Sequence, residues 1–303
     1  MDRLRTPNPV DLAPALRRLS SRMLALLACT GSTPGDTPDD SDTAHDSDSN
    51  SSNDSDSSND TAPEGLGVTL LAGGLDGLVD AVEATDGSLY VADAGGAWLI
   101  TGDAPTRVYE TPGFLSPDST GGAFLSPGGD IVSLPSGTPI EGTGDYAPVG
   151  LDLMVTDQGD RLTFPGTDPA SGAFGTYTVK ADGGAVPLVG EGYTAAQRWL
   201  FRPEGETTWS TDADGDLWLV ADGEDMATVV ATGVPTGGLT GSLDGSTLYL
   251  GGGSSLWAYD VATATLVEHP LQLDAEVLSV HRSADGLGGI LTTATGVYRV
   301  TWP

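Results

Sequence analysis

This chain lacks most of the residues on which familiar chemistry is built. It has one cysteine, Cys29, so no intrachain disulfide can form. It has one lysine, Lys180, and no P-loop motif. Its histidines are His45, His269 and His281, and neither H-E-x-x-H nor G-x-S-x-G occurs. Basic residues number 12 against 43 acidic ones, a formal charge of −31. Phosphate backbones are held by clustered Lys and Arg, so nucleic acid is excluded as a partner. An anionic membrane surface is disfavoured for the same reason. No run of about 18 apolar residues exists, so no helix is expected to span a bilayer. No catalytic set announces itself.

Glycine, by contrast, is abundant, at 43 of 303 residues, and charged residues make up only 18%. That balance suits many short strands joined by tight turns. One pattern organises the chain. Asp244–Val261, DGSTLYLGGGSSLWAYDV, reads as an Asp-Gly turn, an apolar strand, a glycine turn and a second strand. Asp86–Thr101, DGSLYVADAGGAWLIT, repeats the plan. In both copies a Trp follows a Tyr by eight residues: Tyr90 and Trp98, Tyr249 and Trp257. Turn markers of this kind recur at 86, 129, 159, 214, 244 and 285, with gaps of 30 to 55 residues. A spacing of roughly 40 residues is four strands per unit, the period of a β-propeller blade.

The expected fold is therefore all-β, a single propeller over residues 66–303, most simply of six four-stranded blades, with five or seven left open. After Gly286 only 17 residues remain, enough for two strands. Gly67–Leu71 is expected to complete the last blade beside Val297–Trp302, closing the ring and removing exposed sheet edges. Trp98, Trp218, Trp257 and Tyr298 are read as packing between blades. The two clear repeats resemble those of bacterial propellers of the YVTN, NHL and PQQ-like kinds. The Trp-Asp dipeptide of WD40 repeats is absent. Propellers carry unrelated activities on one scaffold, so the resemblance implies a fold and not a function.

Residues 1–29 form a targeting segment. Arg3, Arg5, Arg17, Arg18 and Arg22 precede the apolar Met23–Ala28, and Leu26-Leu27-Ala28-Cys29 follows the lipobox pattern. This resembles the bacterial lipoprotein signal, which implies lipid attachment at Cys29; a free thiol is the alternative. Residues 30–65 hold ten acidic residues and no Lys or Arg among Ser, Thr, Asn, Pro and Gly. Such a stretch cannot bury enough apolar area to offset its ordering entropy, so it reads as a disordered tether. Thr30 after the cysteine resembles lipoproteins sorted to the outer membrane.

Candidate site residues are few. Asp212, Asp214 and Asp216 alternate across a glycine turn, as in D-x-D-G-D calcium loops, though no bidentate Glu follows and Asp-Gly is also ordinary hairpin chemistry. His281 and Arg282, with Arg202, Arg198 and Asp152, fall on strands expected to line the central channel. Three readings follow. The first is a lipid-anchored envelope platform, expected to be monomeric, for a protein, peptide or glycan. The second is a propeller enzyme, a metal-dependent lactonase or lyase with its site in the channel. The third is a structural envelope protein.

Overall fold

The computed structural model describes residues 66–303 apart from 103, 155–158, 204–206 and 274. The signal segment, Cys29 and the acidic tether lie outside the described residues.

The chain starts with β1 (Val68–Gly73). Blade I then holds β2 (Leu78–Glu83), β3 (Leu89–Asp93), β4 (Gly96–Thr101) and β5 (Ala104–Tyr109). Blade II holds β6 (Phe114–Pro117), β7 (Ala123–Ser126), β8 (Val132–Leu134) and the two-residue β9 (Thr138–Pro139). Blade III holds β10 (Asp152–Met154), β11 (Arg161–Thr167), β12 (Phe174–Lys180) and β13 (Leu188–Gly190). Blade IV holds β14 (Gln197–Phe201), β15 (Thr208–Asp212), β16 (Asp216–Val220) and β17 (Thr228–Thr232). Blade V holds β18 (Leu239–Gly241), β19 (Thr247–Gly252), β20 (Ser255–Asp260) and β21 (Thr265–Pro270). Blade VI holds β22 (Ser279–Arg282), β23 (Gly288–Thr292) and β24 (Gly296–Thr301), and β1 completes it. The result is six four-stranded antiparallel sheets, a six-bladed propeller. One 3-10 turn at Gly144–Tyr146 is the only helical element among the described residues.

The ring closes as the sequence predicts. Strand β1 pairs with β24 in the register Val68↔Val300, Thr69↔Arg299 and Leu70↔Tyr298. The closing blade is also tied to its neighbours by side chains. Arg299 pairs with Glu83 of blade I and with Asp285 at 3.2 Å, and Glu83 Oε2 accepts the Ala284 amide at 3.0 Å. Trp302 stacks on Tyr249 of blade V, rings 4.0 Å apart and 4° from parallel.

The two clear repeats occupy equivalent places. Trp98 faces Val91 across β3–β4, and Trp257 faces Leu250 across β19–β20. The blades bury one another's faces. Trp98 packs in a cluster joining Leu78 and Val91 of blade I to Ile290 and Val297 of blade VI. Trp257 packs among Trp199 and Leu217 of blade IV and Leu239 and Leu250 of blade V. Tyr298 bridges blades V and VI, whereas Trp218 packs on Tyr193 in the segment leading into blade IV. Burying such rings contributes on the order of 2–3 kcal/mol each.

The turn markers count the blades correctly but do not mark one turn. Asp86-Gly87, Gly159-Asp160, Asp244-Gly245 and Asp285-Gly286 join first to second strands. Gly129-Asp130 and Asp214-Gly215 join second to third strands. That mixture is the cause of the uneven gaps. Glycine is required outright at Gly96, where φ is +142° and a Cβ would collide with the Tyr109 carbonyl.

Candidate functional site

The first strands β2, β6, β10, β14, β18 and β22 each form one edge of their sheets, neighbour one another and surround the central channel. A cavity of about 130 Å³ lies there, walled by Asp152, His281, Arg282, Thr240, Ser119 and Glu83, among others. Of the expected channel residues, Asp152, His281 and Arg282 are thus brought together, and Arg202 and Arg198 are not among the walls. Asp152 begins β10, His281 and Arg282 end β22, and Arg202 directly follows β14. Arg198 lies on β14 with its guanidinium 5.6 Å above the Trp199 ring.

The hub of the channel is Asp80, which composition and spacing did not single out. It sits in the apolar run Leu78–Ala84, LVDAVEA, and is fully buried. Its Oδ1 accepts the Ala81 amide at 2.9 Å, and its Oδ2 accepts the Leu115 amide of blade II at 2.7 Å. His281 Nε2 lies 2.7 Å from Oδ1, so one carboxylate joins blades I, II and VI. A charge inside an apolar strand was the available signal, because a buried carboxylate is tolerated only with partners. Burial alone would lower the His281 pKa, but the Asp80 carboxylate beside it more than offsets that, and the net direction is up. The other face of the ring meets the edge of Trp199 at 6.3 Å, and Trp199 in turn meets Phe114 at 5.2 Å.

Asp152 has the opposite tendency. Oδ2 accepts the Arg202 amide at 2.8 Å. Part of its surface reaches the channel, and protein packs closely around the rest. That desolvation pushes its pKa up to about 6, against the pull of the Arg202 amide and of the Arg282 and His281 charges. The channel therefore sets a histidine biased toward its charged form near a carboxylic acid biased toward its neutral form.

The Asp212 loop is used differently from the calcium-loop expectation. Asp212 is buried, and its Oδ1 accepts the amides of Asp214 and Asp216, both at 3.0 Å. Its Oδ2 accepts Trp218 Nε1 at 3.0 Å. The carboxylate is engaged by protein donors that build the β15–β16 turn. In the channel, Asp80 and His281 are engaged with each other and Asp152 with a backbone amide. Among the described residues no group of three or more His, Cys, Asp or Glu side chains is disposed to hold a metal ion. His269 lies on the outermost strand of blade V, β21, away from the channel.

A wider depression of about 570 Å³ lies at the opposite end, by Gly233–Gly237, Trp257, Glu268 and Glu276. Four glycines and Pro235 are among its walls, and Glu268 is occupied by Ser255 at 2.7 Å. The smaller mouth carries the richer chemistry.

Fold and channel define a six-bladed propeller with an ionisable axial cavity. Among solved structures it is similar to a gluconolactonase from Xanthomonas campestris, with TM-score 0.61 and 14% identity over 78% of this chain and 90% of that one. It is also similar to a streptogramin B lyase, with TM-score 0.52 and 12% identity over 78% and 97% of the two chains. A structure of a nidogen/laminin complex matches with TM-score 0.50 and 16% identity over 64% of this chain and 79% of that one. No protein-family model and no curated protein sequence matches the chain. At such identities the likeness shows the fold alone.

Proposed function

We propose that this protein is a lipid-anchored envelope propeller that works as a binding platform, its ligand engaging the channel mouth lined by Asp152, His281 and Arg282. The observation that supports this most is convergence. Ionisable side chains from blades I, III and VI meet at one solvent-open cavity on the axis, while Asp86, Asp168, Asp244 and Asp260 are spent on capping turns. A lipid on Cys29 would anchor the propeller through the acidic 30–65 segment, with the outer membrane as the expected site. The ligand is a small polar molecule or the protruding end of a protein, peptide or glycan.

The test is a thermal-shift screen of small polar compounds against the full chain and a Ser119→Phe variant, whose ring would fill the mouth. Compounds that stabilise the wild type and not the variant support the reading. Equal shifts in both overturn it. Metabolic labelling with a fatty acid should mark the wild type and not Cys29→Ser.

A second reading is favoured by the paired pKa tendencies of His281 and Asp152. Groups whose environments push their protonation apart are the usual acid and base of a site. Enzymes of the same fold include a gluconolactonase and a streptogramin B lyase. Turnover of a chromogenic lactone that falls at least 100-fold in His281→Gln would move the protein into that class.

A further inference from the structure

Deepening that reading, and resting on it, we infer that Arg282 forms an anion subsite at the channel mouth that takes the carboxylate of a small organic acid or of a larger ligand's terminus. The argument begins with the scarcity of cations. Residues 66–303 contain only seven Lys and Arg residues, and three of them, Arg198, Arg202 and Arg282, lie on or directly after the first strands that line the channel. Most of the others are on the outer strands, where carboxylates are plentiful. Arg299 pairs with Glu83 and Asp285. Arg107 lies over Trp98 and donates to the carbonyls of Gly95 and Glu110.

Arg282 does none of this. It is half-buried, and among the described residues its guanidinium makes no hydrogen bond and no ion pair. A guanidinium offers five donors in a fixed fork shaped for a carboxylate. In so acidic a protein an intramolecular partner would have been easy to supply. Leaving the fork unfilled in a partly desolvated wall is reasonable where a ligand fills it.

The nearby acids do not cancel this. Asp80 is matched by His281 and two backbone amides. Glu83 is tied to Arg299 and to the Ala284 amide. Asp118 accepts the amide and hydroxyl of Thr120. Asp152 accepts the Arg202 amide. Each acid already has a donor, and Arg282, although its charge attracts Asp152, has no acceptor within hydrogen-bond distance among the described residues. Thr240 also walls the cavity, and its hydroxyl makes no hydrogen bond among the described residues, so a second donor faces the same space. At about 130 Å³ the cavity is smaller than the roughly 300–1,000 Å³ of sites that enclose a whole small molecule. It suits a headgroup, with the rest of the ligand left outside.

The test uses acetate and its neutral isostere acetamide, titrated into the full chain at low chloride and followed by the backbone amide resonances of Ser283 and Ala284 beside the cavity, which every variant retains. Acetate should bind saturably in the millimolar range and at least tenfold more tightly than acetamide. Arg282→Gln should abolish that difference, Arg282→Lys should retain part of it, and Arg107→Gln should leave it intact. Backbone amide spectra confirm that each variant is folded. Wild-type acetate affinity in Arg282→Gln would overturn the inference. So would equal binding of both probes; if that binding is lost in Ser119→Phe, the channel-mouth platform survives without its anion preference. Binding of neither probe overturns the subsite, and the compound screen above then decides the platform by itself.

Discussion

Replacing Asp152 by Asn should stabilise the protein at neutral pH, against the usual expectation for a polar channel residue. Burial raises the Asp152 pKa from 3.8 to about 6. Each unit is worth 1.36 kcal/mol, so keeping this carboxylate ionised costs the folded state up to about 3 kcal/mol. The attractions of Arg282, His281 and the Arg202 amide are already contained in that net shift. An Asn oxygen can still accept the Arg202 amide. The sign follows from linkage. Below pH 3.8 the group is protonated in both folded and unfolded chains and contributes nothing. Between 3.8 and about 6 the folded chain holds a proton that the unfolded chain has released, so stability falls as pH rises. Above about 6 the full cost is present. Thermal unfolding of wild type and Asp152→Asn should coincide near pH 3.5 and separate progressively up to pH 7. For a domain of this size each kcal/mol moves Tm by about 2–4 °C, so the gap should approach 6–12 °C at most. Solvent reaching the channel will reduce it. Parallel curves from pH 3.5 to 7, or a variant less stable at pH 7, would refute the reasoning.

Other predictions follow from the same geometry. Asp80→Ala strands two backbone amides and His281 among three blades and should cost about 3–5 kcal/mol, measured by urea unfolding. His281, whose pKa is raised by Asp80, stabilises the fold when charged. That contribution should be complete below pH about 6.5 and fade as pH rises through its folded pKa, and it should be missing from the unfolding curves of His281→Gln. Deleting residues 66–73 removes β1 and leaves β24 as an open edge; the truncated chain should aggregate on light scattering, where the parent does not. Asp212→Ala removes the acceptor of two amides and the Trp218 indole and should cost about 2–4 kcal/mol. The wild-type Tm should be the same in calcium and in chelator, because Asp212 is already bonded to those donors.

Much of the fold was legible because a propeller is a local device repeated. Asp-Gly turns, Tyr-to-Trp spacing and short apolar runs each report on neighbours within some 15 residues, and six of them suffice to count blades. The closure was legible by subtraction, since the last unit lacks a strand and the first supplies one. The markers failed only in detail. Gly129-Asp130 and Asp214-Gly215 look like the other turns because tight turns share one chemistry wherever they fall in a blade. Of the residues expected on the channel by position within the repeat, Asp152, His281 and Arg282 wall the axial cavity, and Arg198 and Arg202 lie on or just after β14 without lining it. The Asp212 triplet was ambiguous because the same carboxylate that could bind calcium also caps a turn, and only its hydrogen bonds tell which.

By itself, then, the sequence determined the all-β class, the approximate period and the ring closure, and favoured six blades over five or seven, because these depend on turns and alternation along a short stretch of chain. Only the tertiary structure decided the site. Asp80 and His281 are 201 residues apart, as are Glu83 and Ala284, and nothing local to either member reveals its partner. Closing the ring brings the first and last blades together, and with them the carboxylate that raises the pKa of one histidine. The same enclosure desolvates Asp152 and leaves Arg282 facing an open mouth. Those are properties of surroundings, which a linear pattern does not carry.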